Sequence, residues 1–149
     1  MKEKTTDRET IDGIIRRASV CRIALCDDGH PYVVPVCIGY EGDALYFHSA
    51  PRGRKLDILR RNSAVCFEFD VDVETVPAKS ACGWSMRFRS VVGFGEASLV
   101  EDLEGKRKAL DAIVAQYGGQ PGEYSASTLG KTAVVKIQIQ RMTARTSGY

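Results

Sequence analysis

From Val65 to Glu74 the chain alternates with a period of two: Val65, Phe67, Phe69, Val71 and Val73 on one side, Glu68, Asp70, Asp72 and Glu74 on the other. Only an extended strand puts every second residue on one face, so this stretch has one face in a core and the other in water. The rest of the chain must supply neighbours for it. Val20–Cys26 reads as a strand, Asp27-Asp28-Gly29 as a hairpin turn, and Tyr32–Tyr40 as the returning strand. Glu41-Gly42-Asp43 then turns the chain into Ala44–Ser49, where Leu45 and Phe47 share one face and Tyr46 and His48 the other. Trp84–Val100 reads as a long strand or bent pair, with Gly93 and Gly95 as points of bulge or close approach. Thr132–Thr143 closes the series, with Val135, Ile137 and Ile139 alternating.

Helices are few. Thr6-Asp7-Arg8-Glu9 has capping-box form ahead of Ile11, Ile14, Ile15 and Ala18 at helical spacing. Leu103, Leu110, Ile113, Val114 and Tyr117 mark a second helix that stops at Gly118-Gly119, and Leu56–Arg61 a short one. Pro77–Gly83 and Gln120–Gly130 read as loops, the latter with at most a short turn of helix. About six strands with hairpin-length connections indicate a mainly β, antiparallel barrel, because parallel neighbours would need a helix between each pair. No Gly-x-Gly-x-x-Gly follows a strand and no Gly-Lys-Ser is present, which argues against nucleotide binding through those motifs.

With 149 residues the chain has the size of one domain. A net charge of +2 argues against a dedicated nucleic-acid binder. No long apolar run is present and residues 1–10 are too charged for a signal peptide, so a cytoplasmic protein without a membrane segment is expected. The five cysteines, Cys21, Cys26, Cys37, Cys66 and Cys82, lack metal-ligand spacing. No metal site is expected, and four of the thiols lie in runs that suggest small buried apolar groups.

The chemistry concentrates at residues 46–55, Tyr-Phe-His-Ser-Ala-Pro-Arg-Gly-Arg-Lys. Pro51 and Gly53 end a strand, and Arg52, Arg54 and Lys55 then open a helix. Cations are misplaced at a helix N-terminus unless an anion joins them. A hydroxyl from Ser49, amides of the turn and the charges of Arg54 and Lys55 would cradle a phosphate. The same residues also fit a solvated basic turn partly neutralised by Asp57. Val34-Pro35-Val36 carries a second signal: Pro35 cannot donate to a sheet ladder, so it must lie at an edge, at a bulge or where backbone meets a ligand.

In order, Val34-Pro35-Val36, Leu45–Ala50 through Gly53-Arg54-Lys55, and Trp84–Gly95 resemble the 5-nitroimidazole resistance flavoproteins of the pyridoxamine 5′-phosphate oxidase-like, FMN-binding split-barrel superfamily. The resemblance runs from about Ile11 to Arg141. It implies a single domain over residues 1–149, a six-stranded antiparallel split barrel with a few flanking helices. It also implies a homodimer with two FMN molecules at the interface. Pro35 and Val36 would lie against the isoalloxazine ring through their backbone, Phe47, His48 and Ser49 would line the ribityl and phosphate path, and Arg54 and Lys55 would hold the phosphate. Arg89 and Ser90 fall on the strand that approaches the flavin near the partner subunit.

The implied activity is a flavin-dependent oxidoreductase that passes electrons to a small organic acceptor such as a nitroaromatic. His48 would be its catalytic proton donor, since imidazole titrates near neutrality. His30, before Pro31, reads as merely exposed. Tyr46, Phe47, Trp84 and Phe88 are candidates for an aromatic wall or for core. The basic turn would accept the inner phosphate of FAD as well as FMN, and related barrels take deazaflavin or haem. A flavin-binding, storage or sensor module without turnover is the alternative. A pyridoxamine 5′-phosphate oxidase-like enzyme is another, although only Arg141 and Arg145 stand late in the chain as a second phosphate cluster.

Overall fold

A computed structural model describes residues 2–149, and in it the alternating segments assemble into an antiparallel sheet of eight strands. The central strands are β6 (Ala64–Val76) and β7 (Ser85–Val100), joined through a 3-10 turn at Ala81–Gly83. β2 (Cys21–Asp27) and β3 (His30–Val36) lie on one side of them. β8 (Ala133–Ser147), β5 (Ala44–Ser49) and β4 (Gly39–Glu41) lie on the other. A strand at Lys2–Thr5, β1, pairs with the end of β8. The order is β3-β2-β6-β7-β8-β5-β4, and the sheet does not close. It is an antiparallel sheet of split-barrel type.

Two strands exceed the six expected. β1 is too polar to show as a strand, with only Thr5 less than exposed, and its pairing with β8 is what makes it one. β4 arises because Tyr32–Tyr40 is not continuous. After β3 only Cys37 and Ile38 intervene before Gly39 pairs with Tyr46 of β5. Those residues carry the chain from one end of the sheet to the other, which creates the split. Gly39 is required there: a Cβ would lie 2.5 Å from the backbone nitrogen of Ile113, on the helix that packs over β4. Pro35 sits on β3, the terminal strand, where a missing amide donor is tolerated.

The hairpin between β2 and β3 has Asp28 and Gly29 both at positive φ (49° and 79°), the geometry a two-residue turn needs to match strand twist. Helix α1 (Arg8–Arg17) starts one residue later than the capping-box reading. Asp7 is the cap, accepting the amide of Thr10 at 2.9 Å. Its Ile11, Ile14 and Ile15 are buried with Leu56, Ile58 and Leu59 of α2 (Arg54–Arg61) in one cluster that includes Ile23, Leu45, Phe47, Phe67, Phe69 and Val91. Each such side chain contributes about 1.5–3 kcal/mol by burial. On the other face of β5, α3 (Leu103–Gln116) and α4 (Ala126–Gly130) form a second cluster with Val134, against which Tyr46 packs.

Two expectations of burial fail for local reasons. β6 shifts register between Val71 and Glu74, with Asp72 at φ 55°, and the bulge turns Val73 outward to 50% exposure. Among the cysteines only Cys21 is buried. Cys26 falls on the outer face of β2, Cys37 in the break before β4 and Cys82 in the loop, all exposed, while Cys66 is half-buried. The two glycines of β7 are used as read. A Cβ at Gly93 would strike the Phe67 ring, and one at Gly95 would lie 2.4 Å from the Gln138 carbonyl beside a second bulge.

Candidate functional site

β4 covers β5 only as far as Tyr46, so Phe47, His48 and Ser49 run past its end with β8 as their remaining strand neighbour. On the opposite side of the split stands β3, the other terminal strand. The turn from Ala50 to Gly53 leads from β5 into α2. Gly53 adopts φ 152° and ψ 168°, a conformation that favours glycine, and it caps the helix without a side chain. The first helical backbone bond runs from the Asp57 amide to the Gly53 carbonyl at 3.1 Å. The amides of Arg54, Lys55 and Leu56 therefore have no intrahelical partner.

The charges around those amides are unbalanced. Asp57 does not serve as the counter-ion of the turn: its carboxylate lies 3.6 Å from Arg60, one turn further along. Among the described residues Arg52, Arg54 and Lys55 make no ion pair. The Arg54 guanidinium instead lies over the ring of Tyr32 on β3, 4.3 Å from its centroid, and so reaches across the split. A ring holds a cation without cancelling its charge, so this contact leaves Arg54 without a counter-ion. The Ser49 hydroxyl donates to the Ala50 carbonyl at 2.7 Å, so it would have to rotate to donate to an anion. Free amides, a positive helix end and unpaired cations form a site whose chemistry fits a phosphate.

The other sequence-derived residues divide. Pro35 is exposed and Val36 half-buried on β3, bordering the same split. His48 is exposed, on the face of β5 opposite Phe47. Phe47 itself is 1% exposed within the core, so its side chain cannot line a ligand path and only its backbone is available. The aromatic wall does not form. Tyr46 packs with the α3–α4 cluster, Trp84 is 57% exposed on the β6–β7 arm, and Phe88 lies beneath Arg145.

Arg89 and Ser90 lie at the far end of the sheet from the turn: Ser49 is opposite Ala133, whereas Arg89 is opposite Thr146, about 40 Å further along β8 at ~3.3 Å per residue. Arg89 is already engaged there. It bonds Asp72 at 2.7 Å and lies 4.1 Å from the ring of Tyr149, while Arg17 holds the same carboxylate at 2.8 Å. Those two hydrogen bonds keep the Asp72 carboxyl below its ordinary value. Beside them, Arg22 bonds Asp70 at 2.6 Å and Glu68 at 3.2 Å. Arg22, Glu68, Asp70, Phe88 and Ser90 line a shallow depression of about 360 Å³.

The chain matches the pyridoxamine 5′-phosphate oxidase family over residues 7–146, nearly its whole length. It belongs to that family. Among solved structures it is similar to a candidate 5-nitroimidazole antibiotic resistance protein from Bacteroides thetaiotaomicron VPI-5482, at 36% identity and a TM-score of 0.87. That similarity covers 98% of this chain and 87% of the other. The flavocytochrome Anf3 from Azotobacter vinelandii is 26% identical with a TM-score of 0.84, over 98% of this chain and 70% of that one. An uncharacterised protein of Rhizobium meliloti (strain 1021) is 34% identical over 65 residues, 44% of this chain and 42% of its own length.

Within this family member, sequence reasoning passed over two residues. Arg22 lies opposite Pro35 on one side and Glu68 on the other, a cross-strand relation invisible until the register is known. Tyr32, three residues before Pro35, read only as the start of a strand. Its signal was an aromatic ring on the strand where Pro35 already marked an edge, a bulge or a ligand-facing backbone.

Proposed function

We propose that this chain binds a flavin mononucleotide with its phosphate at the β5–α2 turn and reduces a small organic acceptor of the nitroaromatic class. The observation that carries the reading is the helix end at Arg54 and Lys55, without a side-chain cap and, among the described residues, without a counter-charge. Arg54 and Lys55 would bind the phosphate together with the free amides of the helix, and Ser49 would add a hydroxyl after rotating off the Ala50 carbonyl. The open edge of β3 at Pro35 and Val36 offers backbone to a flat ring without competing with a ladder. A bound flavin supplies the redox chemistry. His48 would hold the proton that the reduced acceptor takes up.

This reading includes a homodimer. Four strands deep, Val33, Ala24, Cys66 and Phe94 stand opposite one another on the outer face, with Val33 61% and Phe94 39% exposed. Pro35 and Val92 lie in the adjacent row. A second copy on that face would bury the apolar row, exclude water beside β3 and bring another chain's Arg89 and Ser90 toward a turn that their own chain keeps distant. Sedimentation analysis should give a dimer, and Val33→Glu with Phe94→Glu should give monomers of lowered flavin affinity.

The deciding experiment is anaerobic. Reduced FMN, in the protein and free, is mixed with a 5-nitroimidazole, and reoxidation is followed by absorbance. Faster reoxidation in the protein supports the enzyme reading, and an equal rate leaves a flavin-binding module. Protein that neither carries nor takes up flavin overturns both.

A further inference from the structure

We infer that Tyr32 is a positioning residue for the phosphate of the ligand, acting only through Arg54. The inference rests on the flavin reading above and adds to it a residue on the opposite side of the split. Arg54 is on the exposed first turn of α2, where a long side chain has many rotamers and no carboxylate to hold it. Its guanidinium nevertheless lies 4.3 Å from the centre of the Tyr32 ring. Tyr32 is itself fixed. It sits opposite Leu25 on β2 and packs, half-buried, against the main core. The ring is thus a rigid shelf on which a mobile cation rests.

A shelf of this kind has a different consequence from a carboxylate partner. Arg22 and Arg89 spend N–H donors on Asp70, Glu68 and Asp72, and their charge is cancelled in doing so. Arg54 keeps its charge, because a ring carries no counter-charge and among the described residues no carboxylate pairs with it. Orientation is obtained without neutralisation. The entropy of ordering Arg54 is then spent before the anion arrives, which strengthens each bond the anion makes. The stack also ties α2 to β3, so the phosphate cradle and the strand edge at Pro35 hold a common geometry.

The test compares FMN with riboflavin, which lacks the phosphate, by fluorescence titration of the full chain. Tyr32→Leu should weaken FMN binding roughly tenfold, the scale of a partly desolvated cation–π contact, and leave riboflavin within about twofold. Tyr32→Phe keeps the ring and should restore the wild-type preference. On an Arg54→Ala background, Tyr32→Leu should change the preference no further, since its only route has been removed. Thermal melts confirm folding. If leucine is not tolerated, Tyr32→Met removes the ring with a more adaptable side chain. Equal losses for FMN and riboflavin, or an undiminished effect on the Arg54→Ala background, would overturn the inference and leave the cradle standing. Wild-type protein that binds riboflavin as tightly as FMN would overturn the cradle and the inference together.

Discussion

Two groups of basic side chains stand at opposite ends of this sheet in opposite electrostatic situations. At the far end, Arg17, Arg22 and Arg89 each meet a carboxylate of β6 at 2.6–2.8 Å. At the β5–α2 turn, Arg52, Arg54 and Lys55 have none among the described residues, and the nearby Asp57 faces Arg60 instead. The sign of the charge is the same in both places. What differs is whether the fold supplies the counter-charge, and a cluster that the fold leaves uncompensated is where an anion from outside gains most. Within its own chain Arg89 is a surface clasp, far along the sheet from the turn.

The largest effect that would break this distinction is on ligand binding. Replacing Arg54 and Lys55 together by alanine should weaken FMN binding roughly hundredfold or more, with the melting temperature unchanged, as titration and thermal melts would check. Unchanged affinity would place the phosphate elsewhere. Next in size is salt. Raising ionic strength should weaken FMN binding several-fold by screening exposed cations, while leaving riboflavin binding nearly constant. Arg22→Met should show the reverse profile. It strands the half-buried Glu68 beside Asp70, lowering stability in urea titration by about 1 kcal/mol, with FMN affinity kept within about twofold. A large loss of FMN binding in that variant would erase the contrast between the two ends.

The smallest effect is a pH slope. Burial, reinforced by the charge of Asp70 and opposed by Arg22, raises the Glu68 carboxyl above its ordinary value. The folded state therefore holds that proton more tightly than the unfolded chain does. Its contribution is full below the ordinary glutamate value of about 4.3 and is lost as pH rises through the raised folded value. Asp72 has the opposite sign: its lowered carboxyl stabilises above the ordinary aspartate value of about 3.9 and fails as pH falls through the folded one. Stability profiles of Glu68→Gln and Asp72→Asn, measured from pH 3 to 6 by urea titration, should diverge from wild type in opposite directions. Parallel profiles would mean that the arginines hold both carboxylates alike.

Much of this was legible in the chain itself. Alternation is a local property, so β2, β5, most of β6, β7 and the first part of β8 follow from period two, and α1 and α3 from apolar spacing. Pro35 restricted its strand to an edge, a bulge or a ligand-facing backbone, because a missing amide donor has few places to go in a sheet, and the terminal place of β3 is the edge. The basic helix start was visible because cations are unusual there. Other features were not local. β1 exists only through β8, β4 only through β5 and the helix over Gly39, and Val73 faces outward only because β6 bulges at Asp72. The same holds for partners. Spacing shows that Arg54 and Arg89 are cations, but whether each meets a ring, a carboxylate or nothing depends on strand register and on which elements end the sheet. Those pairings join residues distant in sequence, so the tertiary structure alone decided them.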